Sequence, residues 1–205
     1  MFETLFYFFH VSGWTMYAIA ACSILALAVF LEKIWVLRCE RIIPKGFSAK
    51  IEELVRENKF PEAEVLCGQN KASLARIIEA GLANAGKSRE QIKEIVIEVG
   101  LQETTELERY MNVLNTTISL APMLGFLGTV LGMVQLFSSV AAVGEVTNIG
   151  MIADGIYKAL YTTIAGLMVS IPATVCYRYL TSRVDRMILE MEKISLRIID
   201  LIKRK

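Results

Sequence analysis

Four hydroxyl side chains are the first candidates for chemistry, because each stands in a run of chain that carries no charge: Thr129, Thr163, Ser170 and Thr174. The runs are Gly13 to Leu31, Val113 to Val143 and Ala159 to Tyr177, and none contains Asp, Glu, His, Lys or Arg. A threonine or serine hydroxyl donates one hydrogen bond and accepts others, but does not titrate near neutral pH. The nearest ionisable groups stand at the ends: Asp154 and Lys158 at one mouth, Glu32 and Lys33 at the other. Proton paths through apolar surroundings normally use an ionisable group at depth. If this chain handles protons, the titrating carboxylate must therefore come from another chain, on a helix lying beside Thr129 and Thr163.

Other chemistries find little support. His10 is the only histidine, has no acidic or histidine neighbour close in sequence, and reads as an interfacial surface residue. Cys22, Cys39, Cys67 and Cys176 have neither metal-ligand spacing nor a disulfide-like pattern, so free thiols and no metal are expected. IAAC at 19–22 superficially resembles a lipoprotein cleavage site, but no basic segment precedes it and the apolar run continues past Cys22. There is no nucleotide-binding loop and no Ser/His/Asp set, so neither an enzyme nor a cofactor is expected, and nothing points to nucleic acid.

The elements that must position the hydroxyls follow from hydropathy. The chain has 205 residues, 54% of them hydrophobic, with mean hydropathy +0.47. Each uncharged run reaches the roughly 18 residues that mark a membrane-spanning helix. The sequence thus predicts an all-α membrane protein with helices over 13–36, 113–142 and 155–178. Twelve Lys and Arg lie between Arg38 and Arg109 and eight from Arg178 to Lys205, with none before Gly13 or between Val143 and Tyr157. The positive-inside rule puts 37–112 and 179–205 in the cytoplasm, and segment 1–12 and loop 143–154 outside. The aromatic segment FETLFYFFH suits an interfacial helix. Residues 37–112 read as charged, amphipathic helices, with Pro61 in a first turn, Gly86 as a stop and Ser88 as an N-cap. No breaker separates Ser88 from Val143, which predicts one continuous helix of about 50 residues, far longer than a bilayer core. Beyond Arg178, Val184, Met187, Met191, Ile194, Ile198 and Leu201 recur in heptad steps. That seam fits packing on the chain's own cytoplasmic helices, with packing between subunits as an addition or alternative.

The spans also collect residues that helices disfavour. Proline costs about 3 kcal/mol in a helix interior and glycine about 1. Yet Pro122, Gly125, Thr129 and Gly132 step along one face of the second span, and Gly128 with Gly132 forms GxxxG. Gly155, Ala159, Thr163, Gly166, Ser170 and Thr174 do the same on the third. Small residues let membrane helices approach closely. Two matched stripes, each centred on a threonine, also suit the wall of a shared cavity holding another helix or water. Both readings remain open at this level.

APMLGFLGTVLGM and ALYTTIAGLMVSIPA resemble the second- and third-helix signatures of the MotA/TolQ/ExbB group, and LCGQNKASLARIIEAGL and LERYMNVLNTTISLAP resemble its run-up. The first helix, MYAIAACSILALAVFLEKIWVLR, looks most like the ExbB branch; three spans rather than four argue against MotA. The resemblance implies a bacterial inner-membrane motor. In it, a homo-pentamer surrounds a dimer of a single-span ExbD- or TolR-like partner whose membrane aspartate carries the proton, driving a TonB- or TolA-like protein. It places the family's pore threonines on Thr129 and Thr163; Ser170 and Thr174, from the stripe on the third span, extend the pore-lining set. Pro122, Gly125, Gly128, Gly132, Ala159 and Gly166 would form the smooth wall against the partner helix. One departure stands out: Lys158 replaces the acidic residue that many relatives carry before the AL of helix three. A lysine there can repel entering protons, pair with a partner acid, or simply snorkel. A TolQ-like subunit and a passive oligomeric scaffold are the alternatives.

Overall fold

A computed structural model describes residues 14–37, 42–44, 46–143 and 149–203. Segment 1–12 with His10, the thiol of Cys39 and the loop residues 144–148 lie outside the described residues. The helices run in order α1 Trp14–Val36, α2 Phe47–Arg56, α3 Phe60–Gly68, α4 Ser73–Ala83, α5 Arg89–Glu108, α6 Met111–Val143 and α7 Ile149–Lys203. Among the described residues there is no strand. Helices α1, α6 and α7 are long and apolar enough to cross a membrane. The chain divides into two units: Met1–Leu31 with Tyr110–Arg178, and Glu32–Arg109 with Tyr179–Lys205.

The first unit turns the usual burial rule around. Water-soluble cores bury large apolar side chains. Here Met123, Phe126, Phe137 and Met168 are exposed, while Ala121, Ala159, Thr162, Ser170 and Ala173 are buried. Small groups hold the helices together and large ones face outward, an arrangement suited to lipid rather than water.

The second unit has an ordinary core, built from Ile51, Val55, Leu74, Ile78, Leu82, Ile92 and Val96. The heptad side chains Val184, Met187, Met191 and Ile198 are buried within the chain, as the intrachain reading of that seam expects. Arg76 bonds the largely buried Glu103 carboxylate at 2.6 Å, and Arg89 pairs with Asp200 at 2.6 Å. Pro61 sits in the first turn of α3. Ser88 caps α5 in a reciprocal capping box with Gln91. Gly86 does not end a helix: α4 stops at Ala83, and Asn84 closes it by donating to the Ala80 carbonyl at 2.8 Å. Cys22, Cys67 and Cys176 are free thiols. Burial pushes the Cys67 thiol up to about 12, so it stays protonated and unreactive.

Helix α7 begins at Ile149, so it takes in Asp154 as well as Lys158. One further sequence expectation changes. The continuous helix from Ser88 to Val143 is broken between α5 and α6. Arg109 is extended (φ −49°, ψ 138°) and Tyr110 left-handed (φ +65°). In an unbroken helix the Leu107 carbonyl would accept from the N–H of Met111. Instead it accepts from the Lys33 ammonium at 2.9 Å, and that lysine is 2% exposed. A cation on the last carbonyls also complements the helix dipole. A tertiary contact thus satisfies the carbonyl at the break, with neither glycine nor proline at the site to announce it.

Candidate functional site

The site lies in the first unit, where α6 and α7 meet in a seam of small residues. A Cβ added at Gly125 would stand 2.7 Å from the Thr162 carbonyl oxygen, and one at Gly166 would strike the Ala121 carbonyl. At Gly128 it would meet the hydroxyls of Thr162 and Thr15 at 2.7 and 2.9 Å, and at Gly132 the Ala159 methyl at 2.9 Å. The two stripes therefore face each other within one chain, and close helix packing accounts for these glycines.

Backbone contact brings carbonyls and hydroxyls together. Thr129 Oγ1 lies 3.1 Å from the Gly125 carbonyl, 3.2 Å from the Ala159 carbonyl and within hydrogen-bond reach of Thr163 Oγ1. Thr162 Oγ1 reaches the Ala159 carbonyl at 2.7 Å and Gly125 at 3.0 Å. Thr163 Oγ1 reaches Gly125 at 3.2 Å. Each hydroxyl has one proton and several acceptors within reach, so it can turn from one acceptor to another at small cost. Such a cluster can donate to a carboxylate or accept from a carboxylic acid. No member of it titrates.

Pro122 accounts for the next contact. It has no N–H, so the Ile118 carbonyl loses its intrahelical partner. Ser170 Oγ donates to that carbonyl across the seam at 2.8 Å. Thr174 Oγ1 donates to the Ser170 carbonyl of its own helix at 2.8 Å. Thr129, Thr163 and Thr174 are half-buried at the rim of the seam, whereas Ser170 is buried in it. At the start of α7, Lys158 pairs with Asp154 one turn earlier at 2.5 Å. The rings of Tyr157 and Tyr161 meet edge to face there, 4.9 Å apart.

Sequence reasoning missed Thr162, 1% exposed, and Thr15, 2% exposed. The buried face of α7 runs Ala159, Thr162, Gly166, Ser170, Ala173; it shares Ala159, Gly166 and Ser170 with the expected stripe and takes Thr162 and Ala173 in place of Thr163 and Thr174. The doublet Thr162-Thr163 offers either register, and the signal for the first was the equally small Ala173 below it.

A seam of glycines and hydroxyls between long apolar helices, with charge only at its ends, is what closely packed membrane-spanning helices present. Residues 69–193, more than half of the chain, match the sequence model of the MotA/TolQ/ExbB proton channel family, and the chain belongs to that family. It is 33% identical to a biopolymer transport ExbB homolog of Methanothermobacter thermautotrophicus, over 95% of this chain and 68% of that protein. An ExbB-like protein of Synechocystis is 29% identical over 83% of this chain and 68% of its own length. A Tol-Pal system TolQ protein of Haemophilus influenzae is 36% identical over 41% of this chain and 36% of its own.

Proposed function

We propose that the chain is an ExbB-like channel subunit of a bacterial inner-membrane motor, with its N-terminus periplasmic and its C-terminus cytoplasmic. Homo-pentamers surround a single-span, ExbD-like partner whose membrane aspartate carries the proton, and the complex energises a TonB-like protein for outer-membrane transport. The observation that carries this reading is the cluster of Thr129, Thr162 and Thr163 hydroxyls on the Gly125 and Ala159 carbonyls, in helices whose charged side chains stand only near the ends of the apolar runs. Thr129 and Thr163 stand at the rim, where a neighbouring helix can reach them. They hydrogen-bond the partner's acid in both protonation states, and Ser170 and Thr174 continue the polar track. Asp154 and Lys158 neutralise each other at the outer mouth, so the entrance presents no net charge.

The test is proton flux through the complex in vesicles. Valine matches threonine in shape and lacks the hydroxyl. Thr129→Val and Thr163→Val should each assemble normally and lose at least about tenfold in flux, which corresponds to about 1.4 kcal/mol of barrier. Normal flux in both variants would remove the threonines from the mechanism. A TolQ-like role is the second reading, supported by the TolQ relative over part of the chain. The identity of the co-purifying partner separates the two.

A further inference from the structure

Helix α5 has a face that the described residues leave open. Glu90, Glu94, Ile97, Glu98 and Leu101 fall within about 100° of one another on it, with Ile97 48% and Leu101 64% exposed. Beside them a groove of about 260 Å³ opens between α5 and α7, lined by Ile97, Gly100, Leu101 and Thr104 on one side and Ile188 and Met191 on the other. Glu192 and a single lysine, Lys93, also line it. Gly100 stands in mid-helix, where glycine is less stable than alanine, and a Cβ added there would meet nothing within 4 Å. Packing inside the chain therefore gives no reason for this glycine. It leaves a hole that a side chain from outside can enter.

The chain also carries a knob of matching character. On the exposed side of α7, Ser182, Arg186, Leu189 and Lys193 fall within about 60° of one another. Leu189 is 64% exposed and stands between the two cations, with Glu190 at the edge of this face. Among the described residues neither Arg186 nor Lys193 forms an ion pair, and neither do Glu90, Glu94 and Glu98. An acidic face around a hole and a basic face around a knob thus lie on one chain.

Depth decides whether the two can meet. Copies related by an axis along the bilayer normal sit at one depth. Lys203 reaches the Ala85 carbonyl at 2.9 Å and Arg89 pairs with Asp200 at 2.6 Å, so α7 runs antiparallel to α5 and Arg89 stands level with Asp200. Gly100 lies eleven residues after Arg89, and Leu189 eleven before Asp200. Leu189 of one copy is therefore level with Gly100 of the next. By the same count Lys193 is level with Val96, about 3 Å along the axis from Glu94 and from Glu98.

We infer that neighbouring copies of this chain join through these two faces. Leu189 of one copy seats over Gly100 of the next, between Ile97, Leu101 and Thr104, and Lys193 lies against Glu94 and Glu98. The faces differ, so the contact is heterologous and repeats from copy to copy into a ring. The inference rests on the proposed homo-oligomer and is independent of the proton reading.

The test is disulfide cross-linking of the full-length chain in membranes, with Cys22, Cys39, Cys67 and Cys176 replaced by alanine. Gly100→Cys has room for its Cβ, and Leu189→Cys is exposed. After oxidation with copper phenanthroline, chains carrying both changes should form a ladder on a denaturing gel that ends at the closed ring. The two single variants expressed together should stop at the dimer, and each alone should stay monomeric. Dimers from Leu189→Cys alone overturn the heterologous contact. No dimer from the mixture, while a lysine-reactive cross-linker still captures the oligomer, overturns these faces and leaves the homo-oligomer standing. A chain that is monomeric to both reagents overturns the two together. Charge exchange gives an answer without touching the groove. Lys193→Glu should lower the oligomer recovered in mild detergent severalfold, because it sets like charges together, and Glu94→Lys with Glu98→Lys should restore it. Failure of that rescue removes the ion pairs from the interface.

Discussion

Ser170 looks in the sequence like one more hydroxyl in a stripe, and in the structure it repairs a proline. Its bond to the Ile118 carbonyl replaces the one Pro122 cannot make. Ser170→Ala should therefore cost about 1–3 kcal/mol, the penalty of an unsatisfied buried carbonyl. In a Pro122→Ala background the alanine N–H closes on Ile118 within α6, and the same serine change should cost about 1 kcal/mol less, as expected for coupled neighbours. Thermal unfolding of the four proteins in detergent completes the cycle. Strictly additive costs would mean that the serine does not stand in for the missing amide. A second test at this scale concerns Gly166. A methyl there meets the backbone carbonyl of Ala121, which cannot swing aside like a side chain. Gly166→Ala should lower stability by about 1–3 kcal/mol, the usual cost of overpacking, although alanine is the better helix former. The four hydroxyl candidates were legible because polar groups are conspicuous in uncharged runs. Thr162 was not, because a doublet of threonines hides which of the two points into the seam.

The break between α5 and α6 belongs to the scale of elements. Tyr110 holds φ +65°, a conformation that costs an L-residue roughly 1–2 kcal/mol relative to glycine. Comparison of Tyr110→Gly with Tyr110→Ala removes the ring from both sides of the measurement. Glycine should be the more stable of the two by about 1 kcal/mol, whereas in an unbroken helix it would be the less stable by about the same amount. The sign of the difference in unfolding free energy decides whether the helix is broken. Local propensity favours continuation here, since ELERYMNVL has no breaker. At the break the Leu107 carbonyl, which continuation would pair with the Met111 N–H, accepts instead from the buried Lys33, seventy-four residues earlier in the chain. Capping at Ser88 was legible by contrast, because its signal and its partner Gln91 lie within four residues.

At the scale of the whole molecule, the large exposed side chains of α1, α6 and α7 and the absence of a charge at depth point the same way. The chain is a membrane protein of a channel family, and the proposed chemistry is incomplete without another subunit. Extraction of the native complex in mild detergent should bring along a single-span chain with a carboxylate in its span. Recovery of this chain alone across several detergents would leave nothing to carry the proton and would favour a passive scaffold.

The sequence by itself determined the three spans, the uncharged interior, the helical character of the second unit and the family. All of these rest on composition and on short-range periodicity, which the local chain carries. Only in the folded chain does it emerge that the two small-residue stripes close on each other, that Thr162 rather than Thr163 is the buried hydroxyl, that Ser170 serves Pro122, and that Lys33 meets the last turn of α5. In each case the deciding partner is a backbone carbonyl or a hydroxyl on a different helix. Every residue carries the same carbonyl, so the sequence holds no mark of which one will be left needing a donor.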